Sequence, residues 1–228
     1  RDLADAENAA GEGDVSGLSD AVELAAGGSH TCARRESGQV VCWGAGYNGT
    51  LGNGGRESSP VPVPVAGLDD ATQHAATDSW SCAVRESGDV VCWGTQDAYP
   101  KGGSKVIHDT PQSVEGLSDI AEIALRMRGP NGSALVGFAR DAAGAVWEFD
   151  GTTEPEKVAD ISDATQLVTG VHHTCVLSEA GTVHCWGKND KRQLGPEKPR
   201  SSSGAVEVPG VTGAQRIVSG RFFTCAAR

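Results

Sequence analysis

No hydrophobic run in this sequence is long enough to cross a membrane. A bilayer-spanning helix needs roughly 20 apolar residues in a row, and no apolar stretch among the 228 residues approaches that length. We therefore expect no membrane span. Methionine is also scarce, since Met127 is the only one and the chain begins at Arg1. This start predicts a processed or trimmed product.

The sequence also has fewer basic than acidic residues. The chain carries 19 Lys and Arg against 30 Asp and Glu, a formal net charge of −11. A surface of that sign repels phosphate backbones, so the sequence disfavours a nucleic-acid partner. The acidity suits solubility or a basic protein partner. Two small basic spots, residues 126–128 and 188–192, are interpreted as solvated loop charge.

The sequence also lacks the groupings typical of metal binding or catalysis. Zinc ligands favour pairs about two to four residues apart, whereas the cysteines here pair at a spacing of ten. Ser29 and His30 are adjacent in a predicted strand, so their side chains point to opposite faces. His172 and His173 fail as a chelate for the same reason. Residues 44–49 match a dinucleotide fingerprint, but a glycine-rich loop follows instead of a helix. We predict no catalytic residue, no metal and no cofactor.

What the sequence does contain is a cysteine-bearing hairpin pattern in residues 27–44. A turn at residues 36–38 fits a three-residue hairpin loop with glycine at the left-handed position. That loop places Cys32 opposite Cys42. Directly opposed residues on antiparallel strands have Cα atoms about 4.5–5.5 Å apart, which a disulfide can span. The pattern therefore predicts a bridge inside the hairpin.

The hairpin pattern recurs at a period of about 50 residues. A degenerate copy at residues 137–149 has Phe138 and Glu148 at the cysteine positions. Metal binding or redox catalysis is the alternative to structural bridges, which persist in the periplasm, at the cell surface or outside the cell. We predict three disulfides and one cysteine unpaired in this chain: Cys32–Cys42, Cys82–Cys92, Cys175–Cys185, and Cys225 alone.

Each repeat offers four short, valine-rich strand candidates separated by turn residues. In the first two copies these are residues 61–65, 71–76, 81–85 and 89–93. Four strands in a unit of this length indicate an all-β propeller blade. The tryptophan after the second cysteine is expected to pack between neighbouring units. We predict a flexible N-terminal segment at residues 1–16 and propeller units at residues 17–66, 67–115, 116–159 and 160–209, with a partial unit at 210–228.

Three motifs carry a family resemblance: His-Thr-Cys-Ala at 30–33, Gly-Gln-Val-Val-Cys-Trp-Gly at 38–44 and Asn-Asp-Lys-Arg-Gln-Leu-Gly at 189–195. They resemble the regulator of chromosome condensation repeat, and the resemblance covers residues 17–228. It implies a β-propeller, usually of seven blades. This chain would then supply four blades and part of a fifth, as a fragment. The remainder would be a second chain, an absent segment or a disordered one. The cysteine-containing copies look most similar to exported bacterial members.

In a propeller, loops that enter the inner strands gather on one face around the axis. Here these loops are residues 27–29, 77–79, 170–172 and 220–222. We predict that this face binds a protein partner, because aromatic residues and arginine are the usual anchors of protein interfaces. The alternative is that the side chains plug the central channel. The predicted contact residues are Ser29, Asp78, Trp80, His172, Arg221 and Phe222.

These features together predict a non-catalytic protein-interaction scaffold that works outside the cell, at its surface or in the periplasm. One alternative is a secreted inhibitor of an enzyme, as one bacterial relative of the family is. Another is an enzyme with a site in the central channel. A third is a nucleotide-exchange or chromatin-binding factor like the founder of the family. The acidity and the cysteine bridges argue against the third alternative.

Overall fold

The structure is a computed structural model that describes residues 15–96, 106–128, 134–151, 153–195 and 199–228. Every regular element in these ranges is a β-strand, so the predicted all-β class is confirmed. The predicted N-terminal segment, residues 1–16, lies outside the described residues apart from its last two.

The strands form antiparallel sheets, named A to E here, in two compact units at Arg1–Glu115 and Gly116–Arg228. Within every sheet the strands are hydrogen-bonded in chain order. In the first unit, sheet A holds β1 (Ala21–Ala26), β2 (His30–Arg35), β3 (Val40–Gly44) and β4 (Ser59–Pro64), and sheet B holds β5 (Ala71–Ala76), β6 (Trp80–Arg85), β7 (Val90–Gln96) and β8 (Val106–Ser113). In the second unit, sheet C holds β9 (Ile120–Arg128), β10 (Ala134–Asp141), β11 (Val146–Phe149) and β12 (Glu156–Lys157), sheet D holds β13 (Ala164–Thr169), β14 (His173–Ser178), β15 (Val183–Lys188) and β16 (Ser201–Glu207), and sheet E holds β17 (Arg216–Ser219) and β18 (Thr224–Ala227).

The hairpin between the second and third strands has the register that the sequence predicts. In sheet A, Cys32 pairs with Cys42. Gly38 closes the turn with a φ of +85°, and its N–H donates to the carbonyl of Arg35 at 3.0 Å. A Cβ on Gly38 would lie 2.8 Å from the carbonyl oxygen of Asp69. Both the backbone conformation and the space therefore require glycine at this turn.

Three cysteine pairs lie at disulfide distance, with sulfur–sulfur separations of 2.10, 2.11 and 2.10 Å. They are the predicted pairs Cys32–Cys42, Cys82–Cys92 and Cys175–Cys185. In sheet C, Phe138 pairs with Glu148 at the same register position. Cys225 is a free, exposed thiol.

Neighbouring sheets of one unit share a core. Sheet A contributes its cysteine face, formed by Cys32, Val40 and Cys42, and sheet B contributes its tryptophan face, which includes Val91 and Trp93. Trp93 is fully buried, and its indole N–H donates to a loop carbonyl of sheet A at 3.0 Å. The tryptophan therefore packs between neighbouring sheets, where its place in the repeat led us to expect it.

The second unit repeats this arrangement with one substitution. Phe138 of sheet C stands where other sheets carry a disulfide, and its ring meets the Trp186 ring of sheet D edge-on, with centroids 5.5 Å apart. The bridge between Cys175 and Cys185 in sheet D shares a core with Ile217 of sheet E. An aromatic contact thus fills the place of the covalent link in sheet C.

The first strands of successive sheets lie against one another within each unit. A side-chain oxygen on each of three first strands accepts a hydrogen bond from a backbone N–H of the next first strand. These bonds run from His74 to Glu23 at 3.2 Å, from Leu167 to Glu122 at 3.0 Å and from Ile217 to Gln166 at 2.7 Å.

Buried histidines tie the second strands of neighbouring sheets together. Nε2 of His30 lies 2.8 Å from Oγ of Ser81, and Nε2 of His173 lies 2.8 Å from Oγ1 of Thr224. The two histidines are 4% and 0% exposed. Burial lowers the pKa of each imidazole to about 4, and Arg126 adds to this effect at His173. Both imidazoles are therefore neutral in the folded protein at pH 7.

Removal of one bridge should destabilise the hairpin that it closes. The double variant Cys82→Ser, Cys92→Ser frees a short loop in the unfolded chain, which should lower the free energy of unfolding by about 2–3 kcal/mol. Urea unfolding followed by circular dichroism measures the change. Cys225→Ser is the matched control, because Cys225 makes no bridge. Equal midpoints for the double variant and the control would contradict the prediction.

Acid should weaken the protein through His30 and His173. An unfolded histidine has a pKa near 6.5. The unfolded chain therefore takes up protons between about pH 6.5 and 4 that the folded chain does not bind, and stability falls as the pH drops through that window. At pH 5 each histidine should cost about 2 kcal/mol. Replacing both with phenylalanine, the residue at the equivalent position 223, should remove this part of the pH dependence in urea titrations at pH 7, 6 and 5. An unchanged slope of stability against pH would rule the histidines out as its source.

Candidate interaction surface

One loop in each of four sheets joins the first strand to the second. We call the sheet edge that carries these loops the loop edge. The loops share one backbone construction, in which the first loop residue donates its N–H to the carbonyl three residues further on. The bonds run from Gly27 to His30 (2.8 Å), Thr77 to Trp80 (2.8 Å), Gly170 to His173 (2.9 Å) and Gly220 to Phe223 (2.8 Å). Their side chains differ, so a constant backbone presents a variable surface.

Glycine at the first loop position lets neighbouring loops pack closely. A Cβ on Gly170 would collide with the imidazole of His173 and would lie 2.7 Å from the carbonyl oxygen of Gly220. A Cβ on Gly27 would collide in the same way with the following histidine and with the carbonyl of Thr77. The loops are therefore held in place by their own hydrogen bonds and by the loop beside them.

In the first unit the loop edge presents Ser29 and Asp78, which are both exposed. The two loops touch, since a Cβ on Gly28 would lie 2.8 Å from Oδ1 of Asp78. Trp80 is different, because it is only 1% exposed. The structure therefore does not present Trp80 at the surface for the predicted partner contact. This tryptophan fills the buried strand entrance that His30 fills in sheet A.

In the second unit the loop edge presents an arginine over the face of an aromatic ring. The guanidinium of Arg221 lies 5.1 Å from the centroid of the Phe222 ring. Both residues are exposed, Phe222 by 39%. The carbonyl of Arg221 accepts a hydrogen bond from the N–H of Val171 at 3.2 Å. This bond places the Arg221–Phe222 pair next to His172, which is half-buried.

Two basic side chains that the sequence analysis interpreted as solvated loop charge lie at the same loop edge. Nε of Arg126 donates to Oγ1 of Thr174 at 2.9 Å, and its guanidinium lies 5.1 Å from the centroid of the Phe138 ring. The backbone N–H of Lys188 donates to the carbonyl of His172 at 2.8 Å. The structure therefore gathers basic groups from two separate stretches of sequence.

The pKa of His172 reflects this gathering of charge. Burial lowers it first, and the positive charges of Lys188 and Arg126 lower it further, while Asp190 acts in the opposite direction. Residues 126 and 188 both lie near strand ends that reach the loop edge, so an alignment of the repeats would have placed each of them at that edge. That their charges act on one histidine depends on how the sheets pack.

Carboxylates are concentrated at the outer strands of sheet C in the second unit. A shallow cavity of about 120 Å³ lies beside the third and fourth strands of sheet C, away from its first strand. Among the side chains in the described ranges, no three His, Cys, Asp or Glu residues converge as a metal site requires. The cavity is lined by Glu148, Phe149, Asp150, Thr153, Glu154 and Glu156.

The described part of the chain contains no helix with the length and apolar character that a membrane crossing demands.

Parts of the sequence match the regulator of chromosome condensation (RCC1) repeat. One description of the repeat matches residues 21–50 and 164–193, and a second matches residues 37–84. No curated protein sequence matches the chain.

Solved structures show the same architecture at low sequence identity. Human WBSCR16 superposes with a TM-score of 0.74 at 18% identity, over 93% of this chain and 58% of its own. Yeast RCC1 (Prp20), solved with Kap60 bound, gives 0.67 at 20% identity, over 88% and 52%. The CRINKLY ectodomain of the Arabidopsis thaliana receptor kinase ACR4 gives 0.51 at 18% identity, over 93% and 62%. The chain therefore spans less than two thirds of each of these proteins.

The sheets and the comparisons agree on one fold. Sheets A to D are four-stranded blades and sheet E is part of a fifth, which confirms the predicted partial propeller. The repeat matches come from the sequence, and the propeller neighbours come from the structure. The chain therefore carries RCC1 repeats and has the β-propeller fold of its RCC1-like neighbours.

Proposed function

We propose that this chain is a non-catalytic scaffold that binds a protein partner through its loop edge. The observation that carries the proposal is the Arg221–Phe222 pair, an exposed arginine over the face of an exposed aromatic ring. Aromatic and arginine side chains supply most of the binding energy in protein interfaces. The proposed contact residues are Ser29 and Asp78 in the first unit and His172, Arg221 and Phe222 in the second.

The packing of the loops supports this proposal. Ordering a mobile loop on binding costs conformational entropy, which is subtracted from the affinity. Here the hydrogen bond between Gly220 and Phe223 closes the loop that carries the Arg221–Phe222 pair. The N–H of Val171, in the neighbouring loop, donates to the carbonyl of Arg221. A loop that is ordered before binding pays a smaller entropic cost, so more of its interaction energy appears as affinity.

Two solved structures of one relative, yeast Prp20, support the class of partner. One yeast RCC1 (Prp20) structure contains Kap60, and a report on Prp20p describes its binding to Gsp1p and histones. Both structures share the fold with this chain at 20% identity. They therefore support a protein as the partner without indicating which protein.

We also propose that the scaffold works in an oxidising compartment: outside the cell, at its surface or in the periplasm. Three cysteine pairs at disulfide distance support this location, because such bridges are rare where thiol reductants are abundant.

Site-specific photocrosslinking in the native source tests the binding surface. Benzoylphenylalanine in place of Phe222 should crosslink to one protein partner on irradiation, which mass spectrometry then identifies. The matched control is benzoylphenylalanine at Ala180, an exposed turn residue at the opposite edge of sheet D. The same product from both positions, or no product from position 222, would refute the proposal.

The identified partner then permits a quantitative test. Phe222→Ala should weaken its binding by about tenfold or more, which corresponds to about 1.4 kcal/mol. Ala180→Ser should leave the affinity unchanged. If the partner is an enzyme that loses activity at equimolar scaffold, the scaffold acts as an inhibitor.

Thiol counting tests the compartment. Protein taken from the native source under acid quench is treated with maleimide-polyethylene glycol, and peptide mapping of this chain should find no more than one of its seven cysteines, Cys225, labelled. After reduction and unfolding, all seven cysteines of this chain should be labelled. Several reactive thiols before reduction would contradict an oxidising location.

A further inference from the structure

We propose that the loop edge of the second unit binds an acidic peptide segment of the partner. Arg221 and Lys188 pair with its carboxylates, and Phe222 contacts an apolar side chain between them. This inference rests on the proposed function and specifies the chemistry of the partner at that surface.

The charge at this edge is opposite to the charge of the whole protein. The chain has a formal net charge of −11, yet Lys188 and Arg126 both act on His172, and the backbone of Arg221 bonds to Val171 beside it. Burial lowers the pKa of His172 first, and Lys188 and Arg126 lower it further against the opposing charge of Asp190. A local positive field on an acidic protein attracts an acidic segment and orients it toward that spot.

In the described part of the chain, Arg221 lacks the ion pair that several other arginines make. Arg34, Arg35, Arg85 and Arg140 each pair with a carboxylate of their own sheet, at 3.0, 2.8, 2.7 and 2.9 Å. Across the described ranges, neither Arg221 nor Lys188 has such a carboxylate partner. A hydrogen bond from Gln193 lowers the pKa of Asp190, and the charges of Lys191 and Lys188 lower it further, so Lys188 acts on a nearby carboxylate without pairing with it. Arg221 is therefore the charge most available to a ligand.

The position of Arg221 over the Phe222 ring suits a carboxylate ligand. A guanidinium carries N–H groups in a planar fork, and a carboxylate can accept two of them. Arg126 differs, since its Nε is already bonded to Thr174. It contributes a fixed charge behind the surface, and Arg221 contributes the exposed hydrogen-bond donors.

A peptide fits this surface better than a nucleic acid does. The same unit carries a carboxylate-lined cavity at the outer strands of sheet C, with Glu148 and Asp150 in its wall. Phe149 pairs with Gly137, so this cavity lies toward the same end of sheet C as the loop edge. Its carboxylates repel a long polyanion that extends from sheet E to sheet C, whereas a segment of a few residues at Arg221 stays at sheets D and E.

Fluorescence anisotropy with a defined probe tests the inference. The probe is a fluorescein-labelled twelve-residue peptide, (Asp-Glu-Phe)4, added to the full chain at 50 and 300 mM salt. We expect saturable binding at low salt that weakens at least fivefold at high salt, because screening reduces attraction between exposed charges. Two comparison peptides, (Asn-Gln-Phe)4 and (Asp-Glu-Gly)4, should both bind at least fivefold more weakly.

A pair of charge-matched variants decides where the probe binds. Lys188→Glu with Arg221→Glu removes the proposed site. Lys157→Glu with Arg216→Glu makes the same change of net charge at exposed positions outside the loop edge. The first variant should bind the probe at least tenfold more weakly than wild type does. The second variant measures the effect of the same charge change at other positions, and its affinity should stay within about twofold of wild type.

Equal weakening in both variants, absent probe binding, or tighter binding of a twelve-nucleotide oligothymidylate would overturn the inference. These outcomes differ from a failure of the proposed function. If Phe222 crosslinks to a partner whose affinity is the same for both charge variants, the surface binds protein but not through acidic groups. If position 222 gives no crosslink, the proposed function itself fails.

Discussion

Packing between the cysteine face of one sheet and the tryptophan face of the next is the contact on which each unit depends. In the first unit it buries Cys32, Cys42 and Trp93 in one core, and burial of the indole alone contributes on the order of 3 kcal/mol. Sheet C shows what the contact requires. Phe138 takes the place of the bridge and still meets Trp186, so apolar volume at that position is sufficient. The bridge adds stability by restricting the unfolded hairpin.

Hydrogen bonds between the first strands complement this apolar packing. A strand at a sheet edge leaves backbone groups unpaired unless something else accepts or donates. Glu122 accepts from the backbone of Leu167 in the next sheet and from the guanidinium of Arg140 in its own. Burial raises the pKa of this carboxyl group, and the arginine opposes that effect. The arrangement fixes neighbouring first strands relative to each other, and with them the loops that follow.

The packing of the sheets does not depend on the side chains at the loop tips. The loop backbones are the same in four sheets, since each is closed by one hydrogen bond from its first residue. Side chains at their tips are free to vary because they do not hold the sheets together. In the second unit, Arg221 lies exposed over the Phe222 ring, and Lys188 lies close enough to His172 to lower its pKa, after burial. A propeller of this kind can change its partner by changing a few loop residues while its core stays the same.

Local geometry determined what the sequence alone could show. The turn at Gly38 sets which residues face each other in the hairpin, so the pairing of Cys32 with Cys42 and the repeated four-stranded unit follow from spacing. Tertiary packing decided the rest. Whether Trp80 is covered depends on the structure around its strand entrance, and no local pattern encodes that. Arg126 and Lys188, distant in sequence, meet at His172 because adjacent sheets align their strand ends. Such convergence depends on how sheets stack, which is a property of the whole unit.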